Sequence, residues 1–153
     1  MTKLANELNE QFKENEISLL FTLNGSFFFF TDLSRKLNMP IKIGTISVSS
    51  YLCTQSTREV KFYKKVKKPI LENKHVLIIE DIIDKGKTLD TVYEYLDSLK
   101  PKTIDIITLA DKQGCHPNFK FFFKVPNRFI VDYVFEIDDL YRQFDQVYTI
   151  KNN

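Results

Sequence analysis

The sequence predicts an α/β fold, a mainly parallel sheet flanked by helices, and three observations carry that prediction. Residues 17–23, "ISLLFTL", and 75–80, "HVLIIE", are apolar runs with almost no alternation, the pattern of strands covered on both faces. After the second run, Leu89, Val92, Tyr93, Leu96 and Leu99 follow at helical spacing and stop before Pro101. A further strand-like run at 103–111, "TIDIITLAD", completes a strand, helix, strand sequence, which implies a right-handed βαβ unit.

The remaining elements follow in order. Leu4, Leu8 and Phe12 recur every four residues, the stripe of an amphipathic helix. Asn24 and Gly25 mark a turn after the first strand, and the next stretch predicts a helix from Phe27 to Leu37, ended by Asn38 and Pro40. "IKIGTISVSSY" at 41–51 is β-branched and alternating enough for a strand. "REVKFYKKV" at 58–66 predicts another, antiparallel and partly exposed. The phenylalanine runs at 27–30 and 121–123 are expected to fill core.

Composition narrows the function. A chain of 153 residues suits one domain, here residues 1–153. Lys and Arg number 22 against 20 Asp and Glu, a net charge of +2 that argues against a dedicated nucleic-acid or anionic-membrane binder. The one basic run, "KFYKKVKK" at 61–68, reads as a solvated face. Cys53 and Cys115 lack CxxC spacing and the first ten residues lack a signal peptide's apolar core, so a cytoplasmic location is expected. The apolar stretch at 17–30 is broken by Asn24 and Gly25 and falls short of the ~20 residues a membrane helix needs.

The chemistry is concentrated in "VLIIEDIIDKGKTLDTV" at 76–92, where a buried strand gives way to Glu80, Asp81 and Asp84. Ligands of open parallel sheets sit beyond the carboxyl ends of the strands, so the first two acids are expected to face a substrate. The loop from Asp84 to Thr88 opens a helix, and a helix N-terminus with Gly86 allowing close approach is an anion site. "GKT" at 86–88 matches the end of a nucleotide-binding P-loop, but that motif's first glycine would fall at position 81, an aspartate. Carboxylates repel phosphate and accept hydrogen bonds from vicinal hydroxyls, so the pattern describes a ribose 5-phosphate site.

The segment "VLIIEDIIDKGKTL" resembles the phosphoribosyl-pyrophosphate motif of hypoxanthine-guanine phosphoribosyltransferases, of the type I phosphoribosyltransferase family. "LNGSFFF" at 23–29 is similar to that family's pyrophosphate loop, and "SSYLCTQSTREVK" at 49–61 to its mobile loop. "LADK" at 109–112 resembles the strand end with the purine-reading lysine, and "VPNRFIVDYVFEIDDLYR" at 125–142 the purine and metal segment. The resemblance implies a Rossmann-like phosphoribosyltransferase core with a reduced hood, its N-terminal segment shortened. It implies transfer of the phosphoribosyl group to a 6-oxopurine, with loss of pyrophosphate.

Roles follow by resemblance. Glu80 and Asp81 would hold the ribose hydroxyls, directly or through the water of a magnesium ion, the implied cofactor, with Glu136 binding a second ion. Asp84 would be the general base, and Lys85, Gly86, Lys87 and Thr88 would wrap the 5-phosphate. Lys112 would donate to the 6-oxo oxygen, Phe129 would stack on the purine, and the Ile130 backbone would lie along its edge. Asn24, Gly25 and Arg142 would face pyrophosphate, and Ser50 and Tyr51 would belong to a lid. Phosphoribosyl pyrophosphate and a 6-oxopurine are then the partners, with a homo-oligomer, dimer or tetramer, also implied, and neither nucleic acid nor membrane.

The departures from the family pattern are Lys85 for a usual threonine, Asn24 for a usual lysine, Glu136 for an aspartate, and Asp132 and Arg58 for glycines. These departures leave a degenerate paralogue that binds nucleotides beside the enzyme, and the basic run at 61–68 leaves a nucleotide-sensing RNA-binding regulator on the same fold.

Overall fold

The structure, a computed structural model, describes residues 1–52, 58–83, 86–111, 120–124, 130–131 and 148–149, with side-chain surroundings for 1–49, 60–83 and 86–109. The chain begins with helix α1 (Thr2–Gln11), strand β1 (Ile17–Leu23), helix α2 (Phe27–Ser34) and strand β2 (Ile41–Leu52). Strand β3 (Arg58–Lys64), the single turn α3 (Lys68–Leu71), strand β4 (His75–Ile83) and helix α4 (Lys87–Asp97) follow. Strand β5 (Thr103–Asp111), β6 (Lys120–Lys124) and the short strands β7 (Ile130–Val131) and β8 (Tyr148–Thr149) complete the order.

Six strands form one sheet in the order β3-β2-β1-β4-β5-β6. All its neighbours are parallel except β2 and β3, which pair antiparallel as the partly exposed "REVKFYKKV" predicts. Strands β7 and β8 pair antiparallel in a separate ribbon. This is the α/β class expected from the sequence. Among the described residues no helix is long and apolar enough to cross a membrane.

The unbroken apolar runs are explained by the two cores they serve. Successive residues of a strand point to opposite faces, so Leu19, Phe21, Leu77, Ile79, Ile107 and Leu109 pack with Leu4, Leu8, Phe29 and Leu33 of the first two helices and with Phe12 just after α1. Leu20, Val76, Ile78 and Ile106 pack on the other face with Leu71, Leu89, Val92 and Leu96. Gly44 in β2 lies under this second core, where a Cβ would meet Leu20 Cδ2 at 2.6 Å. The hydroxyl of Ser18, buried in β1, donates to the Ile70 carbonyl and ties the sheet to α3.

Three sequence expectations are corrected. The helix expected from Phe27 to Leu37 is helical only to Ser34, because Lys36 and Leu37 bond to carbonyls three residues back and tighten the chain. The strand expected at 75–80 continues to Ile83, so Glu80 and Asp81 sit within the end of β4 rather than past it. The basic run is not wholly solvated. Val66 is buried, and the Lys65 ammonium lies over the rings of Phe62 and Tyr95 at 5.0 and 4.9 Å, an amphipathic use of its stem.

The run at 27–30 is divided in the same way by helical geometry. Phe29 and Phe30 are buried, whereas Phe27 and Phe28 are 46% and 39% exposed. Phe29→Ala is therefore expected to cost about 3–5 kcal/mol in urea unfolding, against about 0.5 kcal/mol for Phe28→Ala. Equal costs would contradict this division.

Candidate active site

Strands β1 and β4 are neighbours at the middle of the sheet, and the chain leaves β1 toward β2 on one side while β4 lies on the other. Such a reversal opens a crevice outside the carboxyl ends of the strands. Their last paired residues are Phe21 and Ile79, so Thr22 and Glu80 come next, side by side at the rim. The Thr22 hydroxyl donates to Glu80 Oε2 at 2.8 Å.

The turn after β1 closes over this bond. Its Leu23–Asn24 peptide is cis, Asn24 is exposed, and the buried Ser26 hydroxyl donates back to the Thr22 carbonyl at 2.7 Å. Gly25 lies directly against the second acid. A Cβ there would stand 1.9 Å from Asp81 Oδ2 and 2.7 Å from its Cγ, so only glycine leaves the carboxylate its place. The Ile82 N–H holds Asp81 Oδ1 at 2.8 Å, and the buried Thr108 hydroxyl reaches the Asp81 carbonyl at 3.3 Å from β5. Each carboxylate thus has one oxygen fixed by a protein donor.

The two acids do not share the site comfortably. Desolvation, and then the charge of the adjacent Asp81 carboxylate, hold Glu80 well above the ordinary value of 4.5, against the opposing hydrogen bond from Thr22. The arrangement stores a repulsion that a cation or hydroxyl donor would relieve.

Helix α4 begins beyond the acids. Its N-cap is Gly86, in the left-handed region (φ 73°), which offers no side-chain cap. Thr88 is half-buried and Lys87 exposed at this end, and the N–H groups of a helix's first turn attract an anion.

Of the residues singled out in the sequence, Asn24, Gly25, Glu80, Asp81, Gly86, Lys87 and Thr88 are all placed at the carboxyl ends of β1 and β4 or the start of α4. Ser50 and Tyr51 lie in β2, in register with Val60 and Glu59, and Ile130 lies in β7 opposite Thr149. Asp84, Lys85, Lys112, Phe129, Asp132, Glu136 and Arg142 are outside the described residues, as are Cys53 and Cys115. Sequence reasoning missed Thr22 and Ser26. The signal for the first was present: Thr22 is a polar residue near the end of an apolar strand.

Comparison with known proteins gives the family. The model of the phosphoribosyl transferase domain matches residues 1–136. The chain belongs to the phosphoribosyltransferase family. It is 39% identical to a hypoxanthine phosphoribosyltransferase of Buchnera aphidicola over 92% of this chain and 82% of that protein. It is 36% identical to a hypoxanthine phosphoribosyltransferase of Salmonella typhimurium over 96% of this chain and 86% of that protein. A crystal structure of a hypoxanthine phosphoribosyltransferase from Staphylococcus aureus superposes with a TM-score of 0.88 at 30% identity, covering 98% of this chain and 84% of that one.

Two predictions test this geometry. Gly25→Ala is expected to destabilise the fold by about 1–3 kcal/mol through overpacking, and Gly25→Ala with Asp81→Ala by less than the two single changes summed. Glu80→Gln keeps an acceptor for Thr22 and removes a desolvated charge. In chelator-treated buffer at neutral pH it is expected to be more stable than the parent by about 1 kcal/mol, or about 2–4 °C in Tm. Because the Glu80 carboxyl is raised in the folded state, the parent gains stability as pH falls through that raised value toward 4.5. The difference between the two proteins should therefore close over that window; a difference independent of pH would contradict the assignment.

Proposed function

We propose that the chain is a purine-salvage phosphoribosyltransferase, a glycosyltransferase that converts hypoxanthine, guanine or both, with phosphoribosyl pyrophosphate, to IMP or GMP and pyrophosphate. The observation that carries this reading is the contact of the Asn24–Gly25 turn with the Glu80–Asp81 pair at the carboxyl ends of β1 and β4, with α4 starting at Lys87 shortly after β4 ends. A carboxylate pair suits ribose hydroxyls, a helix N-terminus suits the 5-phosphate, and the turn between them is left to the pyrophosphate.

The reaction is a displacement at the anomeric carbon. A purine nitrogen forms the new bond to that carbon, the bond to the pyrophosphate oxygen breaks, and pyrophosphate leaves with the electron pair. In this proposal Asp84 accepts the proton from the purine N7, a contribution of about 10²–10⁴-fold. Lys85, Gly86, Lys87 and Thr88 hold the 5-phosphate, and Asn24, Gly25 and Arg142 receive charge developing on pyrophosphate. Lys112 donates to the 6-oxo group, Phe129 stacks on the ring, and the Ile130 backbone lies along its edge. Ser50 and Tyr51 close over the site and exclude water.

Magnesium is part of the same proposal. Glu80 and Asp81 offer hard oxygen donors, and the repulsion that raises Glu80 is the kind a divalent cation offsets. Among the described residues no group of three or more candidate ligands converges. In this proposal the ion is shared among one or two carboxylates, substrate oxygens and water, with Glu136 for a second. When bound, magnesium supplies positive charge beside the sugar hydroxyls and pyrophosphate. A single domain over residues 1–153, a cytoplasmic location, and a dimer or tetramer complete the reading; the exposed Phe27 and Phe28 offer one apolar surface to such an assembly.

Pyrophosphate release by the purified protein, with magnesium, phosphoribosyl pyrophosphate and each of hypoxanthine, guanine, xanthine and adenine, tests the reading. Turnover is expected with a 6-oxopurine and not with adenine. Asp84→Asn is expected to lower turnover by about 10²-fold or more while nucleotide binding is largely kept. No turnover with any base, despite thermal stabilisation by nucleotide, would leave a binder that has lost the chemistry.

A further inference from the structure

The mechanism assigned to the crevice uses neither Thr22 nor Ser26, yet both are buried and both bond within it. Thr22 is 7% exposed and Ser26 fully enclosed. Their contacts run in one line. The Thr22 hydroxyl donates to Glu80 Oε2 at 2.8 Å across 58 residues of sequence, the Ser26 hydroxyl donates to the Thr22 carbonyl at 2.7 Å, and the two hydroxyl oxygens are 3.4 Å apart. The residues between them, Leu23 to Gly25, form the turn assigned to pyrophosphate, and Gly25 is pressed on Asp81. The turn is therefore tied to both acids, to Asp81 by steric contact and to Glu80 by a directed hydrogen bond.

We propose that Thr22 is a positioning residue: its hydroxyl fixes the Glu80 carboxylate at the rim of β4 and, with Ser26, registers the pyrophosphate turn against the ribose-holding acids. The inference rests on the function proposed above and adds a residue to it. A free glutamate side chain has three rotatable bonds, and a carboxylate that must meet two hydroxyls of one sugar loses binding with each rotamer it samples. Fixing one oxygen with a buried donor from the neighbouring strand leaves the group pre-oriented before substrate arrives. Because the same residue's carbonyl receives Ser26, the turn cannot shift without disturbing the acid. Sugar and leaving group are thus aligned by one element.

The test compares Thr22→Val, nearly the same shape without the hydroxyl, with Thr22→Ser, which keeps it. For Thr22→Val, KM for phosphoribosyl pyrophosphate is expected to rise about 10-fold, equivalent to about 1.4 kcal/mol. KM for the purine should stay within about 2-fold of the parent, since Thr22 touches nothing assigned to the base. Thr22→Ser is expected to restore the sugar KM to within about 2-fold. Titration calorimetry with phosphoribosyl pyrophosphate alone reads the same ratio without turnover, so a parent that binds the sugar but lacks activity fails the functional reading and still decides the role of Thr22. An unchanged sugar affinity in Thr22→Val, equal losses for both substrates, no rescue by serine, or a parent that does not bind the sugar would each overturn the proposal.

Discussion

Strands β1 and β4 are covered by helices on both faces, and that burial governs the rest of the molecule. From Ile17 to Phe21 and from Val76 to Ile79 every side chain lies in a core, so neither strand can carry an unpaired polar group until it approaches its carboxyl end. Ser18 is the exception and has its own acceptor in the Ile70 carbonyl. Polarity is therefore delivered at one edge, where Thr22 and Glu80 emerge together. The candidate site sits at that edge because it is the first place the sheet allows polar groups.

Stability and function pull against each other there. Glu80 and Asp81 are adjacent, both are only partly accessible, and burial with mutual repulsion raises Glu80. A chain selected for stability alone would not keep two such groups together. The hydrogen bonds from Thr22 and from the Ile82 N–H reduce the cost without removing it, since each satisfies a single carboxylate oxygen.

Much of this was legible in the sequence where the signal is local. Strand β1 has the bounds its apolar run suggests, because Asn24 and Gly25 follow at once. The run at 103–111 is likewise a strand throughout. The end of β4 was less legible. Two acids read as an exit from the core, but pairing of Glu80, Ile82 and Ile83 with Thr108, Ala110 and Asp111 keeps the chain in the sheet. Helix α3 was concealed in the lysine run, although Pro69 near its start is a recognised opening signal. The Thr22–Glu80 bond was not legible at all, because it depends on the register of strands distant in sequence. No local pattern encodes which residue of β1 faces which residue of β4.

The contact between Gly25 and Asp81 also bears on how such a site can change over time. The space of one methyl group is shared by a backbone from one loop and a carboxylate from another strand. A side chain at position 25 displaces the acid at 81 unless that acid has first been reduced, and reducing it first removes the carboxylate. Neither order of single steps passes through an intermediate that keeps both fold and acid intact. Loss and regain are therefore ordered: the carboxylate goes before position 25 is filled, and position 25 returns to glycine before the carboxylate can come back.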